Sequence, residues 1–191
     1  MLGVWILGDQ LHPEQAALRS APNGIPVLLV ESHHWVARRN YHQQKLVLVW
    51  SAMRHFAQDL RHQGYRVTYE EADTFRDPLL AWIRQEKLQH VWVMQPADLP
   101  FRQALQSLAE SLPTESSCEL HILENNHFLW TSAEFIQWAK PRKRLLMEDF
   151  YRQGRKRFGI LMDGDQPVGG RWNFDHDNRK TPPAGTTFPP P

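Results

Sequence analysis

The chain has a single cysteine, Cys118, among its 191 residues. That excludes an internal disulfide and any metal or cluster site built on several thiolates. No apolar run approaches the length needed to span a bilayer. The apolar start Met1 to Leu7 is cut off by Gly8-Asp9-Gln10, too early for a secretory signal. No membrane association and a cytoplasmic location are therefore expected. Neither sign of charge dominates, since the formal net charge is +1, and a global polycation is excluded. Gly8 follows an apolar run, but the second and third glycines of a dinucleotide fingerprint do not follow it. The histidines at 33, 34, 42, 55, 62 and 121 are scattered at spacings that match no common zinc site, so no metal is expected.

What the chain does have is 41% hydrophobic residues and eight tryptophans. That suffices for a packed core, and indoles also line pockets for flat ligands. Charge is uneven along the chain. Residues 1–140 carry 12 basic and 15 acidic side chains, and residues 141–191 carry 10 and 6. The basic cluster Arg152, Arg155, Lys156 and Arg157 reads as a solvated helix face or as a contact for DNA phosphate.

Five short strand-like runs alternate with helical patterns. Leu2 to Leu7 and Ile25 to Val30 read as strands buried on both faces. Tyr65 to Tyr69 alternates like a half-exposed edge strand. Val91 to Met94 and Cys118 to Leu123 complete the set. Between them, helices are expected at Pro13–Ser20, at Tyr41–Gln63 with an apolar stripe from Leu46 to Leu60, at Asp77–Glu86 and at Phe101–Ser111. This alternation predicts an α/β fold: a doubly wound, mostly parallel five-stranded Rossmann-like sheet of order 3-2-1-4-5. After residue 127 the alternation stops. A helix through Ala139 and another from Arg144 to Phe158 form a helical C-terminal extension. The division expected is an α/β domain over 1–140, a helical and loop extension with linker over 141–180, and a disordered Pro-rich tail over 181–191.

In such folds ligands sit beyond the carboxyl ends of the strands, at the point where strand order reverses. Those ends are polar here: Gly8-Asp9-Gln10, Glu31-Ser32-His33, Gln95-Pro96 and Glu124-Asn125-Asn126. Trp5, Trp35, Trp50 and Trp92 lie close to them in the expected topology. A small-molecule site for a flat heteroaromatic is the chemistry these residues suit. Asp175-His176-Asp177 is read as a polar turn rather than an acid–base group. The segment Gly164 to Asp175 has no helical or strand period, yet it carries Trp172 and Phe174, so it is expected to dock onto something.

Three blocks of residues together resemble a known family. They are Gly8-Asp9-Gln10-Leu11; Trp50 to Ala57 with Gly64-Tyr65-Arg66-Val67; and Met147 to Arg152 with Gly159 to Met162 and Gln166 to Asp175. The resemblance spans about residues 2–180. It is to the N-terminal antenna domain of the deoxyribodipyrimidine photolyase-related proteins, the iron–sulfur bacterial cryptochromes and (6-4) photolyases. It implies a light-harvesting chromophore, 6,7-dimethyl-8-ribityllumazine in the better-understood members. It also implies FAD, a four-cysteine 4Fe-4S cluster and lesion-bearing DNA, all bound by a C-terminal domain absent from this chain. The chain is then a truncated or split protein that does not repair DNA by itself. A stand-alone small-molecule binder or photoreceptor, and a non-functional remnant, are the alternatives. Carried over residue by residue, the chromophore pocket would comprise Asp9, Gln10, Glu31, Ser32, Trp35, Val49 and Met53. The Gly164–Asp175 segment would face the missing domain.

Overall fold

A computed structural model describes residues 1–175 and 181–187 of the chain. The chain divides into two compact units, 1–131 and 132–191. The first unit is a parallel sheet of five strands: β1 (Leu2–Ile6), β2 (Pro26–Ser32), β3 (Arg66–Ala72), β4 (His90–Met94) and β5 (Glu119–Leu123). Their order is β3-β2-β1-β4-β5. The order expected from the sequence is present, and the fold is α/β and Rossmann-like.

Parallel strands need crossovers, and helices supply them on both faces of the sheet. Short α1 (Ala16–Ser20) and α2 (His33–Ala37) are followed by α3 (Gln43–His62), α4 (Arg76–Glu86) and α5 (Leu99–Ser116). One face packs Trp5, Leu28, Val91 and Val93 against Leu79, Trp82 and Ile83 of α4 and Leu105 and Leu112 of α5. The other packs Val4, Ile6, Val27 and Leu29 against Ala17 and Leu18 of α1 and Met53, Ala57 and Leu60 of α3. The stripe of α3 is therefore core, as its spacing predicts. Every residue of β2 is buried, which the run of branched aliphatics allows. Its neighbour β3 lies at the edge and is half-exposed.

Several boundaries depart from the sequence reading. β2 runs two residues further than its apolar run, through Glu31 and Ser32, which pair with Glu71 and Ala72 of β3. α1 begins at Ala16 rather than Pro13. Pro13 sits in a turn closed by the Gln15 N–H on the His12 carbonyl, and the Gln15 side chain caps the helix by accepting from Ala17 N at 2.9 Å. α5 is longer at both ends. Asp98 caps it by accepting from Phe101 N at 2.9 Å, and Pro113 is tolerated near its end on the exposed side. Residues 33–37, for which the sequence shows no helical stripe, form the short α2, capped by Ser32 Oγ.

The second unit contains α6 (Ser132–Ala139), α7 (Met147–Phe158) and a two-stranded hairpin of β6 (Met162–Asp163) and β7 (Gln166–Pro167). α7 starts three residues later than expected from the sequence. The segment after Gly164 docks onto α7. The Trp172 ring receives the Arg152, Arg155 and Lys156 cations at 5.4–5.6 Å. Asn173 Nδ2 donates to Glu148 Oε1 at 3.0 Å. Arg155 is buried at 7% exposure. It donates to the carbonyls of Ile160, Leu161 and Trp172 and to the Tyr151 hydroxyl. A guanidinium so engaged is a structural clamp, which corrects its reading as a contact for DNA phosphate. Arg152 and Arg157 pair with Glu148 and Glu134. His176 and Asp177, and residues 188–191 of the expected tail, lie outside the described residues. Among the described residues no helix is long and apolar enough to cross a membrane.

Candidate functional site

Strand order reverses beside β1, because the chain builds outward through β2 and β3 and then returns to place β4 on the other side of β1. A cavity of about 450 Å3 opens beyond the carboxyl ends of β1 and β2. Leu7, Gly8 and Asp9 form its floor where β1 ends, and Val30 and Ser32 where β2 ends. α3 supplies Val49, Trp50 and Met53; Trp35 comes from α2. The start of α5, with Asp98 and Phe101, closes the side next to β4.

Gly8 lets the end of β1 approach α3 closely. A Cβ at this position would lie 2.9 Å from Met53 Sδ. The aromatic wall consists of Trp35, Phe75 and Phe101. Ring centroids are 4.5 Å apart for Trp35 and Phe101 and 5.2 Å for Phe75 and Phe101. The same three rings, with Ser32, also line a second, more apolar cavity of about 540 Å3 that reaches Trp5. The cavity mouth is polar. Arg39 donates to Asp98 Oδ2 at 3.1 Å, and the Arg38 guanidinium lies 4.5 Å over the Trp35 ring. Lys45 and Tyr41 also line the cavity, the Lys45 ammonium 4.8 Å from the Tyr41 ring centroid.

Of the seven residues expected in the site, the structure brings Asp9, Ser32, Trp35, Val49 and Met53 to this one cavity. Gln10 and Glu31 do not line it. Gln10 is buried and ties the loop after β1 to β4, its Nε2 donating to the Met94 carbonyl at 2.8 Å. The Glu31 carboxylate is fully covered. It accepts from Arg54 Nε at 2.8 Å and Arg54 Nη2 at 2.9 Å, and from the Tyr69 hydroxyl. These bonds to the charged carboxylate hold the Arg54 guanidinium protonated well above its ordinary range. Burial, with the carboxylate alongside, holds the Tyr69 hydroxyl protonated as well. Glu31 thus joins β2 to α3 and β3. Of the four tryptophans placed near the strand ends, Trp35 and Trp50 line the cavity, Trp5 lines the second one, and Trp92 packs on the other face of the sheet.

Sequence reasoning missed Phe75, Asp98 and Phe101. A signal for the last two was present, since Asp98 before Leu99-Pro100 is a helix start just beyond β4. Phe75 carries no such mark.

Asp9 lines the cavity where β1 ends and keeps contact with solvent. Loss of hydration raises its pKa from 3.8, against the opposing pull of a backbone hydrogen bond and His127. A carboxyl with a raised folded-state pKa favours folding at low pH. That contribution is lost as pH rises through the folded-state value. Asp9→Asn, which is neutral at every pH, is expected to raise the melting midpoint near neutral pH and to leave it unchanged well below pH 3.8. Because the side chain is partly solvated the shift is small. Melting curves at the two pH values check the sign, and equal shifts at both would contradict it.

Comparison with known proteins matches the sequence to a family. The chain is 37% identical over 184 residues to a (6-4) photolyase of Agrobacterium fabrum (strain C58), covering 93% of this chain and 36% of that protein. It is 27% identical over 146 residues to the uncharacterized protein R852 of Acanthamoeba polyphaga mimivirus, covering 73% of this chain and 71% of that one. The chain thus spans about a third of the length of the photolyase it matches. The family described as deoxyribodipyrimidine photo-lyase-related protein matches residues 4–191, and the chain belongs to that family.

Proposed function

We propose that this chain is the antenna module of a photolyase-related protein, and that the cavity beyond β1 and β2 holds a flat light-absorbing chromophore of the 6,7-dimethyl-8-ribityllumazine type. The observation that carries this reading is the make-up of the cavity at the reversal of strand order. It combines an aromatic wall, a floor without a side chain at Gly8, and polar groups gathered at one end. Its volume of about 450 Å3 lies inside the range of about 300–1,000 Å3 common for small-molecule sites.

The residues present suit such a group. Trp35, Phe75 and Phe101 offer faces and edges for a fused ring system. Asp9, Ser32, Arg39, Lys45 and Asp98 offer donors and acceptors for a dione edge and a polyol tail. When bound, a ribityllumazine supplies absorption of near-ultraviolet and blue light and passes the excitation on. The chain's own residues bind and orient the ring, and Val49, Trp50 and Met53 exclude water from its face. An antenna needs no proton transfer and no nucleophile, which is consistent with a site of rings and hydrogen-bonding groups.

In this reading FAD and lesion-bearing DNA are partners of the whole photolyase-related protein. A 4Fe-4S cluster does not fit this chain, whose lone Cys118 is buried in the core of the sheet. The proposal is tested by titrating the purified chain into 6,7-dimethyl-8-ribityllumazine and following fluorescence anisotropy. Saturation at one equivalent with a micromolar or tighter Kd is expected. A chain that folds and shows no saturable binding would overturn it.

A further inference from the structure

The histidines that look scattered in sequence include one that parallel pairing brings to a partner. His90 and Glu119 are the first residues of β4 and β5 and sit opposite each other in register. His121 is two residues beyond Glu119, so both side chains emerge on the same face of β5. Three ligand atoms converge there. His90 Nδ1 lies 3.1 Å from His121 Nε2 and 3.5 Å from Glu119 Oε2, and His121 Nε2 lies 3.3 Å from Glu119 Oε2.

We infer that His90, Glu119 and His121 form a binding site for a zinc-class divalent cation. An ion with tetrahedral ligands at about 2.0–2.1 Å separates those ligands by about 3.3 Å. The observed triangle has that size before any ion enters. A hydrogen bond between the two rings satisfies one edge of the triangle, whereas a cation at its centre satisfies all three. Two imidazoles and one carboxylate select zinc, cobalt or nickel over magnesium and calcium, which prefer all-oxygen ligands. The three side chains are 42–62% exposed, so water completes the coordination. The backbone beneath them is held in place, since the Met1 carbonyl accepts from the Gln89 and His90 N–H groups at 2.8 and 3.2 Å.

The site lies at the amino ends of the strands, the opposite end of the sheet from the chromophore cavity, and it does not depend on the antenna reading. It joins the edge strand β5 to β4. Bridging two neighbouring strands, a bound ion acts as a clip.

The test uses the full chain without an affinity tag. Zinc and cobalt(II) are titrated by calorimetry, and cobalt is also followed by its visible spectrum. One equivalent is expected to bind, with the intense visible bands of tetrahedral cobalt and no response to magnesium. His90→Ala and His121→Ala are each expected to weaken binding by about 100-fold or more, since even losing the outer partner of a ligand costs 10–100-fold. The two side chains are 49% and 42% exposed, so the metal-free melting curves change little. Glu119→Gln weakens binding by a smaller factor. The control His55→Ala with His62→Ala retains full affinity. Absence of one-equivalent binding, or equal affinity in His121→Ala and the parent chain, would overturn the proposal.

Discussion

Val49→Trp is expected to weaken ribityllumazine binding at least about 100-fold, or about 2.7 kcal/mol, with little change in melting temperature. Val49 is half-buried on α3 and lines the cavity together with Trp50 and Met53. An indole in place of an isopropyl group occupies a large share of a cavity of about 450 Å3. The fold tolerates the exchange because Val and Trp have similar helix propensities and the larger side chain enters empty space rather than packed core. Val49→Ala, which widens the cavity, should cost far less affinity. Anisotropy titrations of both variants decide the matter. An unchanged Kd for Val49→Trp would mean that the ligand lies elsewhere.

Glu31→Ala is expected to lower folding stability by about 2–3 kcal/mol while changing ribityllumazine affinity by less than about threefold. The carboxylate side chain is fully covered and takes three charge-assisted hydrogen bonds from Arg54 and Tyr69. Breaking a buried pair costs about 3–5 kcal/mol when the remaining partner is stranded. Here Arg54 is more than half exposed and rehydrates once released, so the lower figure applies. Urea unfolding measures the stability, and titration of the folded variant measures the affinity. A large loss of affinity with stability unchanged would instead make Glu31 a ligand-binding residue.

The sheet was legible in the sequence because its strands are apolar or alternating runs between helical stripes, and because right-handed crossovers leave few orders to choose from. The position of the site followed from that order. Its composition was legible only in part. Asp9, Ser32, Trp35, Val49 and Met53 sit where strand ends and the α3 stripe put them. Glu31 was misplaced because a charged residue after an apolar run reads as a strand end. In fact β2 continues through it, and Arg54, 23 positions on, neutralises it. Phe75 and Phe101 enter the wall from loops and helix starts remote in sequence, which periodicity does not register. The segment after Gly164 was read as docked, but against a domain missing from the chain. Its partner is α7 of the same chain, through cations on a face that looked like a solvated basic cluster. The His90–Glu119–His121 triangle depends on the register between β4 and β5, and no spacing along one strand reveals it.

Whether the cavity at the reversal of strand order holds a flat chromophore is read from the absorption spectrum of the chain after incubation with 6,7-dimethyl-8-ribityllumazine and removal of free ligand by gel filtration. One equivalent of chromophore is expected to stay with the protein, and none with Val49→Trp. A folded chain that elutes without the chromophore band, or a Val49→Trp variant that retains it in full, would mean that the cavity is not the chromophore site.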